Sequence, residues 1–279
     1  MSGSSTESGV VPRIPRALLS RGFARGTLRW ALVAILCGCM CAALAGIAWA
    51  GDTLIIKEAF TPDRLGAATN LSVTASFASS ADVPPAPVST LTLYAPAGLR
   101  IQAHGAGTCL GAVLERRGPA GCPTDSRVGF GGGVAVLAFP GELVHESFTL
   151  DFFFAPPEHG RLRLLAYANG NSPIGVSLVV VAREVPAPKP YGLGFSIQVP
   201  QVLTIPGASY ASVESAFATL GAANVAYFKT VHGRRTLVHL KGLVVPSVCP
   251  VGGFPTRGTV EFADGATFTV NPTIPCPRG

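Results

Sequence analysis

His145-Glu146, Glu158-His159 and the pair His232/His239, seven residues apart, are where histidines stand nearest a carboxylate or one another along this chain. A histidine beside a carboxylate is the raw material of general acid–base catalysis. Two carboxylates held about 5 to 9 Å apart can hydrolyse a glycosidic bond. Glu146, Asp151, Glu158, Glu214 and Glu261 are the candidates for such a pair. The local motifs argue against these chemistries. His145-Glu146 is followed by Ser147, Phe148 and Thr149, so the H-E-x-x-H zinc site does not form. The chain has no G-x-S-x-G nucleophile elbow and no D-x-D-x-D-G calcium loop. Scattered polar residues on β-strands ordinarily mark the solvent face. The expectation is therefore a chain with no catalytic residues, no cofactor and no metal. Phe152-Phe153-Phe154 reads as core packing rather than a sugar platform.

GCPTDSRVGFGGG, residues 121–133, is the other stretch that invites chemistry. A phosphate-binding P-loop requires G-x-x-x-x-G-K-[ST], because lysine reaches the terminal phosphates and the hydroxyl holds magnesium. Neither a lysine nor a hydroxyl follows these glycines. A dinucleotide fingerprint requires a third glycine where Val134 stands, and a helix where a β-rich run follows. The glycines instead predict a strand with a bulge or a close backbone approach.

Seven cysteines divide into two sets. Cys37, Cys39 and Cys41 lie in an apolar N-terminal run, and Cys109, Cys122, Cys249 and Cys276 lie in the body. No C-x-x-C knuckle occurs in the body, so neither a zinc site nor a thiol redox pair is indicated. Four cysteines in an exported chain allow three disulfide connectivities. The pairing taken here joins the nearest neighbours, Cys109–Cys122 and Cys249–Cys276. Closing loops of about 14 and 28 residues stabilises by about 3 and 3.6 kcal/mol in the chain-entropy model.

Export itself is read from the N-terminus. Residues 30–50, WALVAILCGCMCAALAGIAWA, carry no charge and follow five arginines (Arg13, Arg16, Arg21, Arg25, Arg29). A basic n-region, an apolar stretch and the small residues Ala48 and Ala50 before Gly51 describe a secretory signal cut after Ala50. Twenty-one apolar residues in a helix also span about 31 Å, enough to stay uncut as a transmembrane anchor. A third reading takes Cys39 as a lipid-attachment site. All three put residues 51–279 outside the cytoplasm. The organisation expected is a disordered basic tail (1–29), the signal or anchor (30–50) and one extracytoplasmic body (51–279).

The charge balance restricts the partners. The net charge of +6 sits mostly in the N-terminal segment; residues 51–279 hold 16 Lys+Arg against 14 Asp+Glu. No basic run there exceeds two residues, whereas a nucleic-acid binder neutralises phosphates with a clustered basic face. Nucleic acid is excluded as a partner; an envelope or extracellular ligand, and the membrane through residues 30–50 if uncleaved, remain.

The body is low in charge, with a mean hydropathy for the whole chain of +0.43. It reads as about a dozen short strands, among them LIIKEAF (54–60), LSVTASF (71–77), STLTLYAP (89–96), SFTLDFFF (147–154), GVSLVVVARE (175–184) and GFSIQVP (194–200). APPEHG (155–160) is a hairpin linker, Arg234-Arg235 falls in a turn, and Asp264-Gly265 signals a type I′ hairpin. GTCLGAVLERRG (107–118) predicts a short helix with Cys109 in its first turn, and SYASVESAFATLG (209–221) suits either period. Many strands at 8–15-residue spacing give an all-β fold, a β-sandwich built as one large or two closely packed antiparallel β subdomains, any break lying near VPAPKP (185–190).

The units GTCLGAVLERRGPAGCPTDSRVGFGGGVA and CPVGGFPTRGTVEFADGATFTVNPTIPCPRG resemble a group of exported, β-rich, functionally unassigned proteins of high-GC actinobacteria. There a Cys…GCPxxSxVGxG unit stands near the front and a CPxGGFP…FADG…PCP unit closes the chain. The resemblance covers about residues 97–137 and 249–277. It implies export, β structure and the two nearest-neighbour disulfides. It implies no reaction, cofactor or catalytic residue.

Overall fold

A computed structural model describes residues 53–78, 83–103, 105–171, 174–203, 209–221, 226–239 and 242–277. The tail, the signal or anchor segment and the cleavage residues Ala48, Ala50 and Gly51 lie outside the described residues. Among the described residues no helix is long and apolar enough to cross a membrane.

The body is a large antiparallel sheet. Its strands are β1 (Thr53–Thr61), β2 (Ala68–Ala78), β3 (Val88–Pro96), β4 (Arg100–Gln102), β5 (Arg127–Phe139), β6 (Glu142–Glu158), β7 (Arg161–Gly170), β8 (Ser177–Val185), β9 (Tyr191–Gln198), β10 (Ser212–Leu220), β13 (Gly242–Val244), β15 (Arg257–Phe262) and β16 (Thr267–Val270). The ladder runs β16-β15-β3-β9-β8-β7-β6-β5-β10-β2-β13-β4, with β1 also paired to β2. Two small ribbons complete the body, β11 (Ala226–Val231) with β12 (Arg234–His239), and β14 (Phe254–Pro255) with β17 (Thr273–Ile274). β8 and β9 flank the VPAPKP stretch and pair with each other, so the ladder runs through the expected break.

The sheet wraps on itself, so that β1 meets β16 and β17, and successive side chains of a strand point to opposite faces. In β1, Leu54, Ile56 and Phe60 share one face; their partners Phe77, Ala75 and Leu71 on β2 share it too. Leu54 and Phe77 pack with Val88, Val260 and Phe262, with Ile56, Phe268 and Val270 at the margin. That cluster brings β1 against β15 and β16, the far end of the ladder. A second cluster of Phe60, Leu99, Val245, Phe254 and Ile274 closes another side, with Phe60 and Phe254 edge to face at 5.7 Å. The Cys249–Cys276 bridge, Cα–Cα 5.8 Å, anchors the segment that supplies Phe254 and Ile274, and Cys249 packs against the cluster.

The outer face of β6–β8 is covered by the other staple. Helix α1 (Gly111–Arg117) buries Leu114 completely, and Cys109, Leu114, Phe153, Ala155 and Leu165 form one cluster. Cys109 stands two residues before the helix rather than in its first turn. Its N–H donates to the Phe154 carbonyl at 2.7 Å and its sulfur joins Cys122, Cα–Cα 5.2 Å. Those two ties fix it to the sheet and leave the helix to start at Gly111. Residues 212–220 form a strand, β10, which fills the place between β5 and β2.

Glycines 129, 131, 132 and 133 lie within β5, pressed between β10 and β6. A Cβ on Gly129, Gly131 or Gly133 would collide with the carbonyl oxygens of Thr219, Phe217 or Ser215, and one on Gly132 would stand 2.6 Å from the Phe148 oxygen. A bulge between Arg127 and Gly129 precedes them. The close approach is thus by neighbouring backbone, not by a ligand.

The hairpin turns fall differently from the sequence expectation. At Asp264-Gly265 a hairpin forms, but Gly265 alone has a left-handed φ, so the turn is not type I′. The Asp264 carboxylate instead accepts from the Ala266 N–H at 2.9 Å. Positive φ at both central residues occurs at His159-Gly160 and His232-Gly233, between β6 and β7 and between β11 and β12. β6 therefore runs on to Glu158 through most of the expected linker, and Arg234-Arg235 begin a strand rather than form a turn.

Candidate functional site

The inward phase of the wrapped sheet does not close on itself everywhere. It leaves a partly open cavity of about 130 Å³. Leu71 and Val73 of β2 form one wall, with Glu58 of β1 beside them. Leu93 of β3, Leu193, Phe195 and Ile197 of β9, and Val180 and Ala182 of β8 form another, and Phe152, Phe154 and Leu164 of β6 and β7 continue it. Registers confirm the common face: Phe195 opposes Leu93, Ala182 opposes Ile197, and Phe154 opposes Leu164. Leu99, Thr256 and Ile274 line it beside the Phe60–Phe254 cluster.

Only Glu58, Thr256 and Tyr94 among the lining residues carry polar side-chain atoms. Tyr94 is engaged elsewhere, stacked on Tyr191 with ring centroids 5.6 Å apart. Glu58 reaches the interior because it occupies the inward phase of β1, between Ile56 and Phe60, opposite Val73. The Thr256 side chain, 2% exposed, hydrogen-bonds Glu58 Oε2 and also lies 3.2 Å from the Pro272 carbonyl oxygen. A hydroxyl has one proton to donate. Thr256 Oγ1 shares that proton between the Glu58 carboxyl and the Pro272 carbonyl oxygen, both of which accept. Burial among apolar walls pushes the Glu58 carboxyl above its ordinary value near 4.5, with the Thr256 hydroxyl opposing.

No protein-family model matches the chain, and no curated protein or solved structure matches it either. The cavity and its single carboxyl are therefore read from this chain's own residues.

Of the carboxylates and histidines singled out from the sequence, His145 and Glu214 meet, and none lines the cavity. His145 Nδ1 lies 2.9 Å from Glu214 Oε2, but both side chains are about half exposed on the surface. Glu146 is buried and accepts the Ile174 N–H at 3.1 Å. Asp151 pairs with Arg127, and Glu158 with Arg163 at 3.1 Å. Glu261 is exposed on β15. His159 and His232 sit in turns, and His239 lies at the opposite end of β12 from His232. Among the described residues no group of three or more His, Cys, Asp or Glu could hold a metal ion. The four body cysteines form the nearest-neighbour disulfides, Cys109–Cys122 and Cys249–Cys276. Such pairs belong to an oxidising compartment.

Glu58 and Thr256 were absent from the sequence candidates. The signal for Glu58 is its phase: in T-L-I-I-K-E-A-F the apolar series Leu54, Ile56, Phe60 predicts another apolar residue at 58. Thr256 has no comparable mark.

The raised pKa fixes a pH dependence. A carboxyl whose folded-state pKa lies above its unfolded value binds more protons when folded, so stability falls as pH rises. Glu58 contributes its full stabilisation below about pH 4.5, and this is lost as pH climbs through the raised folded value. Each unit of elevation corresponds to about 1.4 kcal/mol. Glu58→Leu is expected to gain stability relative to wild type on going from pH 4.5 to pH 8, measured by urea unfolding at both. A constant difference between the two proteins would contradict a raised Glu58 pKa.

Proposed function

We propose that this chain is an exported, non-enzymatic binding protein that carries a small apolar ligand inside a flattened β-sandwich, secreted or tethered by residues 30–50 to the outer face of the cytoplasmic membrane. The observation that carries the reading is the cavity of about 130 Å³ bounded by Leu71, Val73, Val180, Leu193 and Phe195. An apolar cavity of about 150 Å³ stays dry and accepts a benzene-sized molecule. Support for the extracytoplasmic setting comes from the two disulfides and the resemblance to exported proteins.

Binding is preferred to hydrolysis because the cavity offers one carboxyl. Glycosidase chemistry uses two carboxyls flanking the bond, and nucleophilic catalysis requires a base within hydrogen-bond reach of the nucleophile. The hydroxyl beside Glu58, that of Thr256, is buried and bonded to both Glu58 Oε2 and the Pro272 carbonyl oxygen.

Calorimetric titration of the disulfide-intact protein with toluene tests this. Saturable binding at a one-to-one ratio is expected. Ala182→Phe, which places a ring in the void, is expected to abolish binding while holding or raising the melting temperature. Absence of binding to wild type, or undiminished binding to a folded Ala182→Phe, would reject the reading.

A further inference from the structure

The β11–β12 ribbon carries a second surface, independent of the cavity's contents. Phe228 pairs with Leu237 and Thr230 with Arg235, so these four side chains share one face. Tyr227, Lys229 and Val238 belong to the other face, which meets the body. There the Tyr227 hydroxyl and the Lys229 ammonium both donate to the Gly105 carbonyl oxygen, at 2.8 and 3.1 Å. Tyr227 and Val238 are half-buried, and every other residue from 226 to 239 is exposed. Phe228 and Leu237, directly opposite each other, are 58% and 47% exposed.

The charge around this apolar pair has one sign. Lys229, Arg234 and Arg235 are exposed, and no carboxylate occurs in the chain between Glu214 and Glu261. None of the three cations forms an ion pair with a described residue. Asp125 borders the Gly105–Gly107 loop and acts on Tyr227 from the body side, away from Phe228. Arg235 lies over the Phe228 ring, 4.2 Å from its centroid, so cation and apolar surface form one patch. An acidic polymer would engage the arginines and leave Phe228 and Leu237 in water. An anionic bilayer takes both, its phosphates meeting the cations and its acyl boundary the apolar side chains. Each cation brought to such a surface strengthens binding about fivefold, and burial of Phe228 or Leu237 about tenfold or more. The chain enters the ribbon from Leu220-Gly221 and leaves it to Gly242-Leu243, and all four residues line the cavity.

We propose that the β11–β12 ribbon docks on an anionic lipid bilayer, with Phe228 and Leu237 entering the boundary between headgroups and acyl chains and Arg234 and Arg235 on the lipid phosphates. A docked ribbon links the bilayer directly to the cavity wall.

The test is co-sedimentation with vesicles, using residues 51–279 with intact disulfides, so that residues 30–50 cannot supply the contact. Residues 50–279 form a compact unit by themselves and hold both disulfides. Binding to equimolar phosphatidylglycerol and phosphatidylcholine is expected to exceed binding to phosphatidylcholine alone by about tenfold or more. Salt at about 1 M, where screening acts within about 3 Å, is expected to weaken it by a similar factor. Arg234→Gln/Arg235→Gln and Phe228→Thr/Leu237→Thr are each expected to weaken it about tenfold or more with melting temperature and toluene binding unchanged. Residues 51–279 contain no tryptophan, so Phe228→Trp reports alone; its emission is expected to move to shorter wavelength on the anionic vesicles. Equal binding to both vesicle types, or none to either, overturns the proposal without any variant and leaves the cavity reading standing. Undiminished binding by Phe228→Thr/Leu237→Thr, or an unshifted emission from bound Phe228→Trp, also overturns it and points to an acidic polymer met by charge alone.

Discussion

A Cys249→Ala/Cys276→Ala variant is expected to unfold with about 3.6 kcal/mol less free energy than the parent, the chain-entropy value for a loop of about 28 residues. The sequence separation of 27 sets that figure. The loss also has a place. The bridge ties residues 249–276, which carry Phe254, Val260, Phe262, Phe268 and Ile274, the side chains that join β1 to the far end of the ladder. Thr256 and Ile274 from this segment also line the cavity. The variant should therefore lose ligand affinity together with stability. Removing Cys109–Cys122 should cost about 3 kcal/mol with ligand affinity preserved, because that bridge fixes α1 to the outer face of β6–β8. Urea unfolding and ligand titration of both variants check the contrast. Equal loss of affinity in the two would remove the link between the C-terminal staple and the cavity.

Gly131→Val is expected to cost more than 3 kcal/mol, or to prevent folding, because its Cβ would meet the Phe217 carbonyl oxygen on the paired strand. Overpacking against mobile side chains typically costs about 1–3 kcal/mol. Here the obstacle is backbone, held by the β5–β10 ladder, so it cannot turn aside. Gly111→Ala supplies the comparison. Nothing lies within 4 Å of its Cβ position, and it begins a helix. It should stabilise by about 0.4–1 kcal/mol, as restricting the unfolded chain does. Denaturant midpoints of the two variants measure the difference. A Gly131→Val protein as stable as wild type would show that β5 does not approach β10 as described.

Much of the architecture was legible because strand periodicity is local. Leu54, Ile56 and Phe60 alternate with Ile55 and Lys57, and that alone places β1 with one face inward. The disulfide partners followed from cysteine count and the nearest-neighbour choice. The turns were less legible. Asp-Gly and Asn-Gly are the usual type I′ sequences, yet here His159-Gly160 and His232-Gly233 take the left-handed pair, while the Asp264 side chain captures a backbone N–H and stays out of that region. Residues 209–221 were undecided because small residues satisfy both periods; pairing with β5 and β2 makes 212–220 a strand, a tertiary contact no local window contains.

The cavity was legible only in part. Glu58 breaks the apolar phase of β1 and could have been marked from that alone. Its partner could not, since Thr256 is 198 residues away in the chain. The void itself is a remainder of packing among strands from β1 to β17, and no sequence period records where side chains fail to fill space. The histidines and carboxylates nearest one another in sequence proved uninformative for the opposite reason. Their polar groups are taken up by surface or backbone partners, as with Glu158 and Arg163 or Glu146 and Ile174.

Crystals of the protein pressurised with xenon test the central claim most directly, because xenon enters apolar cavities that exclude water. The account predicts one strong xenon peak inside the wrapped sheet, bounded by Leu71, Val73, Val180 and Phe195. An interior with no xenon, occupied by collapsed side chains or by ordered water, would contradict it.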